Sequence, residues 1–422
     1  MALNPDEMRR KRQAKAQRRK ARQRKILLLT GLIVAAILVI GIILLIALPK
    51  NPPQDTPAPT ETTPTQSSEP TDPTQPADSG NTVIHFVAAG DLNINDATVA
   101  SGGMGYDYSK AFMDVAPVLA QADLTAVNFE GNLCGSPYGT STGSAPQSMA
   151  MALNAAGVDI VQLANSYAIN RGLGGLAATI DSVRAAGMEP VGAFKNEADF
   201  QRSRGYSLFM VNGIKIAVVA FTKGMDGMTL PPGSENCVNL LYVDYDSTYQ
   251  QVDRDGISRI MDAVSQEKPD LTIALVHWGS EFNDTVSSSQ YAICNLLKEK
   301  GANAIIGTHS HYIEKMEYDP ESGTFVAYGL GDFFSDAARA GSQYGVLLDL
   351  EITKFQDGQT KITGYSYTPI YSLAQGDAPM RVVRIREAML AYENGHIGGV
   401  TKEIYDDMAY SLWRIEARIA GE

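Results

Sequence analysis

Between Val83 and Tyr328 short apolar runs alternate with stretches of helical periodicity, and few folds accept that pattern. Strands are expected at Val83–Ala89, Leu124–Asn128, Ile160–Ala164, Pro190–Ala193, Ile214–Phe221, Leu271–His277, Ala304–Gly307 and Phe325–Tyr328. Helices are expected at Asp107–Gln121, Met149–Ala156, Gly174–Ala186, Arg254–Gln266 and Ser288–Lys300. A succession of strand, helix and strand builds a largely parallel sheet covered by helices. Two later runs, Gly345–Lys354 and Thr360–Ser372, alternate apolar and polar residues and read as antiparallel, half-exposed strands. Lys402–Ile419 has the periodicity of an amphipathic helix.

What precedes this region is of a different kind. Residues 1–25 hold eleven Lys and Arg against Asp6 and Glu7, a net +9. Ile26 to Leu48 then runs 23 residues without a charge. That is about 35 Å as a helix, enough for a hydrocarbon core of roughly 30 Å. With no small-residue cleavage site after it, this segment is expected to be an uncleaved single-pass transmembrane anchor. The positive-inside rule puts the basic arm in the cytoplasm and the rest outside. Residues 49–82 contain nine prolines and no aromatic residue, and read as an extended, disordered linker. The whole chain carries −12, which leaves −21 on the 397 residues after the arm. A body so acidic excludes nucleic acid as a partner. Cys134, Cys237 and Cys294 are odd in number and form no C-x-x-C pair, so the fold does not depend on a disulfide framework.

Ligands of open α/β sheets collect beyond the carboxyl ends of the strands. Those exits here read Gly90-Asp91, Asn128-Phe129-Glu130-Gly131, Ala164-Asn165-Ser166, His277-Trp278-Gly279 and Gly307-Thr308-His309-Ser310-His311. Three of the five histidines thus stand at strand exits with two carboxylates and an amide. Such mixed sets suit divalent ions such as Mn²⁺, Zn²⁺ or Fe²⁺. The other two, His85 in mid-strand and His396 beside glycines, read as structural or solvated.

These blocks, together with Ser280-Glu281-Phe282 and Tyr328-Gly329-Leu330-Gly331-Asp332-Phe333, resemble the CapA family in order from about Val83 to Ser335. That family comprises capsule (poly-γ-glutamate) biosynthesis proteins whose fold belongs to the calcineurin-like metallophosphoesterase superfamily. The resemblance implies an αββα sandwich over residues 83–380, followed by a helical extension over 381–422. It implies metal-ligand roles for Asp91, Glu130, His277, His309 and His311, and for Asn165. The family's third block usually reads Ala-Asn-Asn-His, whose last two residues supply a ligand and the acid that protonates a leaving group. Ser166 and Tyr167 stand there instead, which makes Tyr167 the candidate proton donor. Asp332 stands where the family usually has Asn. With Asn93, Ser166, Trp278 and Glu281 it is expected to contact substrate or to support the ligands, Trp278 equally by packing around them.

The expected function is that of a membrane-anchored, extracytoplasmic protein of capsule or surface-polymer synthesis or export, with one or two divalent ions. Its expected partners are membrane lipids, other membrane-bound polymer synthesis or export proteins, and an anionic surface polymer. Two alternatives stand beside it: a metal-dependent hydrolase of phosphoesters or isopeptides, and a non-catalytic scaffold of the same fold.

Overall fold

The apolar runs carry hydrophobic side chains on both faces, so each strand they form must be covered twice. The computed structural model describes residues 80–336, 339–375, 378–396 and 398–421. All of these lie within a single unit, Pro76–Glu422. The basic arm, the expected anchor at 26–48 and the linker up to residue 79 lie outside the described residues. Among the described residues no helix is long and apolar enough to cross a membrane.

In chain order the elements are β1 (Thr82–Asn93), α1 (Asp96–Ala100), α2 (Ala116–Gln121), β2 (Leu124–Glu130), α3 (Gln147–Ala156), β3 (Ile160–Gln162), α4 (Gly172–Ala185) and β4 (Glu189–Val191). Next come α5 (Glu197–Ser203), β5 (Tyr206–Val211), β6 (Ile214–Thr222), α6 (Arg254–Gln266), β7 (Leu271–His277), α7 (Ser288–Glu299) and β8 (Ala304–Thr308). The last group is β9 (Met316–Asp319), β10 (Thr324–Ala327), β11 (Asp332–Phe334), β12 (Tyr344–Lys354), β13 (Thr360–Gln375), β14 (Ala378–Arg384), α8 (Ile385–Glu393) and α9 (Lys402–Ala420). The strands form two sheets, ordered β14-β13-β12-β1-β2-β3-β4 and β5-β6-β7-β8-β10-β9, with β11 added alongside β1.

The alternation of side chains along the second sheet fixes the layers. Ile216, Val218 and Ala220 of β6, with Ile273 and Leu275 of β7, share a core with β1, β2 and β12 of the first sheet. The intervening Ala217, Val219, Phe221, Ala274 and Val276 pack instead with Ile257, Ile260 and Val264 of α6 and Ile293 and Leu297 of α7. The first sheet is covered on its other side by Met149 and Leu153 of α3 and Ile180 and Val183 of α4. The result is helices, sheet, sheet, helices. Period-two parity then decides where the chemistry goes: the residue after Val276 is His277, which must face the other sheet.

Several expected elements differ in extent. The helix expected from Asp107 begins only at Ala116, because Pro117 is accepted in a first turn but not in a helix interior. β5 was absent from the expectation; it pairs antiparallel with β6 across Asn212-Gly213, both at positive φ, the signature of a tight hairpin turn. The boundary drawn at residue 380 falls inside β14, which pairs with β13 up to Arg384, so residues 381–384 belong to the sheet and not to a helical extension. The three cysteines are free.

Candidate metal centre

The parallel strands β1, β2 and β3 of one sheet and β6, β7 and β8 of the other end at the same seam. Two groups of facing side chains result, Glu130 with His277 and His309, and Asp91 with His311 and Asp332. All six are buried, and within each group the ligand atoms lie within 4.8 Å of one another. Nε2 of His277 is 2.7 Å from Oε1 of Glu130, while its Nδ1 is 3.1 Å from the Thr222 hydroxyl one strand away. Nδ1 of His311 is 2.8 Å from Asp332 Oδ1 and 3.5 Å from Asp91 Oδ2. Asn128 ties the groups together, its amide donating to Asp91 Oδ1 (2.6 Å) and Glu130 Oε1 (3.1 Å).

The backbone is shaped for this purpose. β1 carries an irregularity at Asp91 relative to both β2 and β11, and Asp91 pairs in register with Asp332. The approach of the two chains requires glycine at position 90, where a Cβ would stand 1.8 Å from the Gly331 carbonyl oxygen. Beyond β8, His309 (φ 90°) and His311 (φ 57°) both sit in the left-handed region that non-glycine residues avoid. The His309 amide is held by Asp91 Oδ2 at 3.0 Å, which offsets part of that strain.

Burial dominates the electrostatics. It pushes the Asp91 carboxyl up to about 7, with the Glu130 carboxylate adding to the effect, and Glu130 likewise to about 7. Burial also pushes His277 down to about 3 and His309 well below its ordinary value, so both imidazoles are neutral and offer lone pairs. His311 is the exception: burial opposes its charge, but Asp332 and then Glu130 and Asp91 hold it protonated up to about 11. The fit to a divalent cation is good on the donor chemistry alone. Three imidazoles and three carboxylates, the set that borderline divalent ions prefer, converge in two buried triads, His311 holding in the metal-free fold a proton that a cation would displace.

The structure brings Asp91, Glu130, His277, His309 and His311 into these groups. Asp332, expected in a supporting role, is a full member of one triad. Asn165, expected as a ligand, spends its amide on Asn128 Oδ1 (3.0 Å) and the Phe129 carbonyl (2.8 Å), and its oxygen accepts from the Tyr167 amide. Its amide thereby holds Asn128 in place, while its oxygen accepts one hydrogen bond beside the triads. Trp278 is fully buried, stacks on Tyr328 and donates to its carbonyl at 2.9 Å, so it packs beneath the site and has no surface to offer a substrate. Asn93 ends β1 opposite Glu130. Tyr167 has its phenol pushed above the usual range by burial and by the nearby Glu130.

A pocket of about 300 Å³ opens beside His309, its wall formed by Ser166, Lys223, Asp226, Tyr249 and Glu281 among others. Asn128, Thr222, Lys223, Asp226 and Tyr249 were not anticipated. Asn128 stands in the same block as Glu130, two residues before it and hence on the same face. Thr222 and Lys223 stand at the exit of β6, where a parallel strand presents residues to a ligand.

Fold and site together define a two-sheet α/β protein with a candidate divalent-metal centre at converging strand ends. The chain belongs to the bacterial capsule synthesis protein PGA_cap family, whose family model matches residues 85–337. It is 23% identical over 264 residues to the PGA biosynthesis protein CapA of Bacillus subtilis (strain 168), covering 60% of this chain and 63% of that protein. It is 28% identical over 243 residues to the capsule biosynthesis protein CapA of Bacillus anthracis, covering 55% and 54%. It thus spans less than two thirds of the length of either relative. Among solved structures, the calcineurin-like phosphoesterase YfkN from Bacillus subtilis is similar with a TM-score of 0.44 at 16% identity, over 79% of this chain and 99% of that one.

Proposed function

We propose that this chain is a membrane-anchored, extracytoplasmic component of capsule polymer synthesis or export, and that its two triads bind divalent cations through which it engages an anionic polymer such as poly-γ-glutamate. The observation that carries the reading is the pair of buried triads, one of which reaches a pocket through His309, in a member of this family. A divalent ion at such a place supplies Lewis-acid polarisation and positive charge toward an anionic ligand. That charge matters here, because a body of −21 by itself repels a polyanion.

The residues of the chain divide the work. Thr222 fixes the His277 ring so that Nε2 points at Glu130. Asn128 orients both the Asp91 and Glu130 carboxylates, and the His309 amide fixes the second Asp91 oxygen. Such outer contacts set ligand orientation as much as the ligands do. A binding role is favoured over hydrolysis by Tyr167. Its phenol, raised above an already high ordinary value near 10, holds its proton too firmly to serve a leaving group at neutral pH. The uncharged segment 26–48 and the basic arm before it support the anchored, outward-facing topology.

The test is metal analysis of the full chain purified in detergent, beside a double variant His309→Ala, His311→Ala. Near-stoichiometric Mn, Zn or Fe that disappears in the variant, with polymer binding that disappears on chelation, is the expected result. Polymer binding that survives complete chelation overturns the reading.

A further inference from the structure

Among the described residues Lys223 is the only lysine or arginine lining the pocket beside His309. It follows β6, and its amide donates to the carbonyl of His277 at 2.8 Å, which locks its backbone to the strand end bearing that histidine. Its ammonium donates to the Gly279 carbonyl at 2.9 Å and lies 4.6 Å from the centroid of the Tyr249 ring. Among the described residues no carboxylate is within ion-pairing distance of it. An ammonium has three N–H donors, and one carbonyl uses one of them. A half-buried cation bonded to one carbonyl and set over an aromatic face, with Glu281 and Asp226 acting on its charge from beyond ion-pairing distance, keeps N–H donors free for what enters the pocket.

We propose that Lys223 is the oxyanion-binding residue of this pocket, taking a carboxylate or phosphate group of the ligand next to the group held at the triads; this rests on the reading that the triads face an anionic polymer. The remaining wall defines how much anion fits. Asp226 and Glu281 are both exposed at the pocket and carry negative charge. Both act on the Lys223 charge without bonding to it, so a first oxyanion binds only by direct contact with the ammonium and a second is repelled. The pocket therefore accepts a single oxyanion beside Lys223, as an acidic repeat unit presents it, and discriminates against clustered anions.

The experiment uses the full chain in detergent, loaded with Mn²⁺, and compares the wild type with Lys223→Met and Lys223→Arg. Two probes are titrated calorimetrically: a short γ-linked glutamate oligomer and inorganic phosphate. Manganese content and melting temperature are measured for each protein. Lys223→Met is expected to weaken binding at least tenfold with manganese content and melting temperature unchanged, and Lys223→Arg to stay within about threefold of wild type, as loss and retention of one charge-assisted hydrogen bond require. Equal binding by wild type and Lys223→Met overturns the proposal, as does a loss of manganese in step with binding, which would make Lys223 a support of the centre. Failure of the wild type to bind either probe also overturns it. If the wild type binds phosphate through Lys223 but not the oligomer, Lys223 keeps its role and the polymer reading falls. If both wild type and Lys223→Met bind the oligomer equally, the polymer reading keeps its support and the Lys223 role falls.

Discussion

Nε2 of His277 lies 2.7 Å from Oε1 of Glu130 although the two residues belong to different sheets and are 147 positions apart in the chain. Both are fully enclosed, so the contact exists only because β2 and β7 end at the same level of the sandwich. Replacing Glu130 by Gln removes a ligand charge while keeping its shape and its place beside Asn128. Glu130→Gln is expected to bind metal at least about tenfold more weakly, the drop typical of a damaged ligand shell, and after dialysis to melt like the chelated wild type. Elemental analysis and a thermal melt decide it; full metal retention would remove Glu130 from the ligand set.

The pH response has a definite sign. Asp91 and Glu130 titrate at about 7 in the metal-free fold and near 4 when unfolded. Their contribution to stability is therefore complete below pH 4 and is lost as pH rises through 7. Cation binding needs both ionised, and needs His311 to release a proton it otherwise holds up to about 11. The rise in melting temperature on adding Mn²⁺ is expected to grow from pH 5 to pH 8, with proton uptake by the buffer visible in calorimetry. A rise that is flat or shrinks over that range contradicts the protonation scheme.

Glycine is obligatory where strand ends crowd together. A Cβ at position 90 would stand 1.8 Å from the Gly331 oxygen, and one at position 307 would stand 2.0 Å from the Tyr328 oxygen. Backbone cannot yield as a side chain does. Gly90→Ala and Gly307→Ala are each expected to cost about 3 kcal/mol or more. Gly105→Ala, which meets nothing within 4 Å, should stay within about 0.5 kcal/mol. Denaturant titration of the three variants compares them directly.

The last helix is pinned by a charge pair of unequal burial. Arg418 of α9 is 8% exposed and its guanidinium bonds Asp284 at 2.9 Å, whereas Asp284 is 40% exposed. Asp284→Ala leaves a buried cation, whose Nε already lacks a partner, to the Tyr344 hydroxyl and the Tyr312 ring, at a cost of about 2 kcal/mol. That exceeds the few tenths expected of an exposed aspartate. The pair also steadies the loop whose Phe282 ring packs 5.1 Å from His311, so metal retention should fall modestly as well. An effect below about 0.5 kcal/mol would show that α9 is held by its apolar face alone.

The sequence was most informative where a side chain's position follows from counting. β7 matched its expected limits, Leu271–His277, because a run of apolar residues ending in His-Trp-Gly leaves little room for another boundary. The ligand candidates at strand exits were legible for the same reason. Asp332 was not, because its partner Asp91 lies 241 residues away and meets it only through β11, a three-residue strand with no periodicity to read. Trp278 could be read either way from its neighbours; only the indole hydrogen bond to Tyr328 places it in the core. The hydrogen bonds by which Asn165 holds Asn128 and the Phe129 carbonyl are a fact of packing that no spacing records.

Each triad takes members from both sheets: Glu130 from one and His277 and His309 from the other, then Asp91 and Asp332 from one and His311 from the other. Neither sheet alone contains half a site of any use. The seam thus works like a zip whose teeth are chemical: a one-residue slip of β7 within its sheet would turn His277 to the outward face and away from Glu130. Alignment of the sandwich and possession of the centre are a single property. A metal titration therefore reports on how the two sheets are aligned, and in a chain whose cysteines are all free the triads are where side chains of both sheets meet.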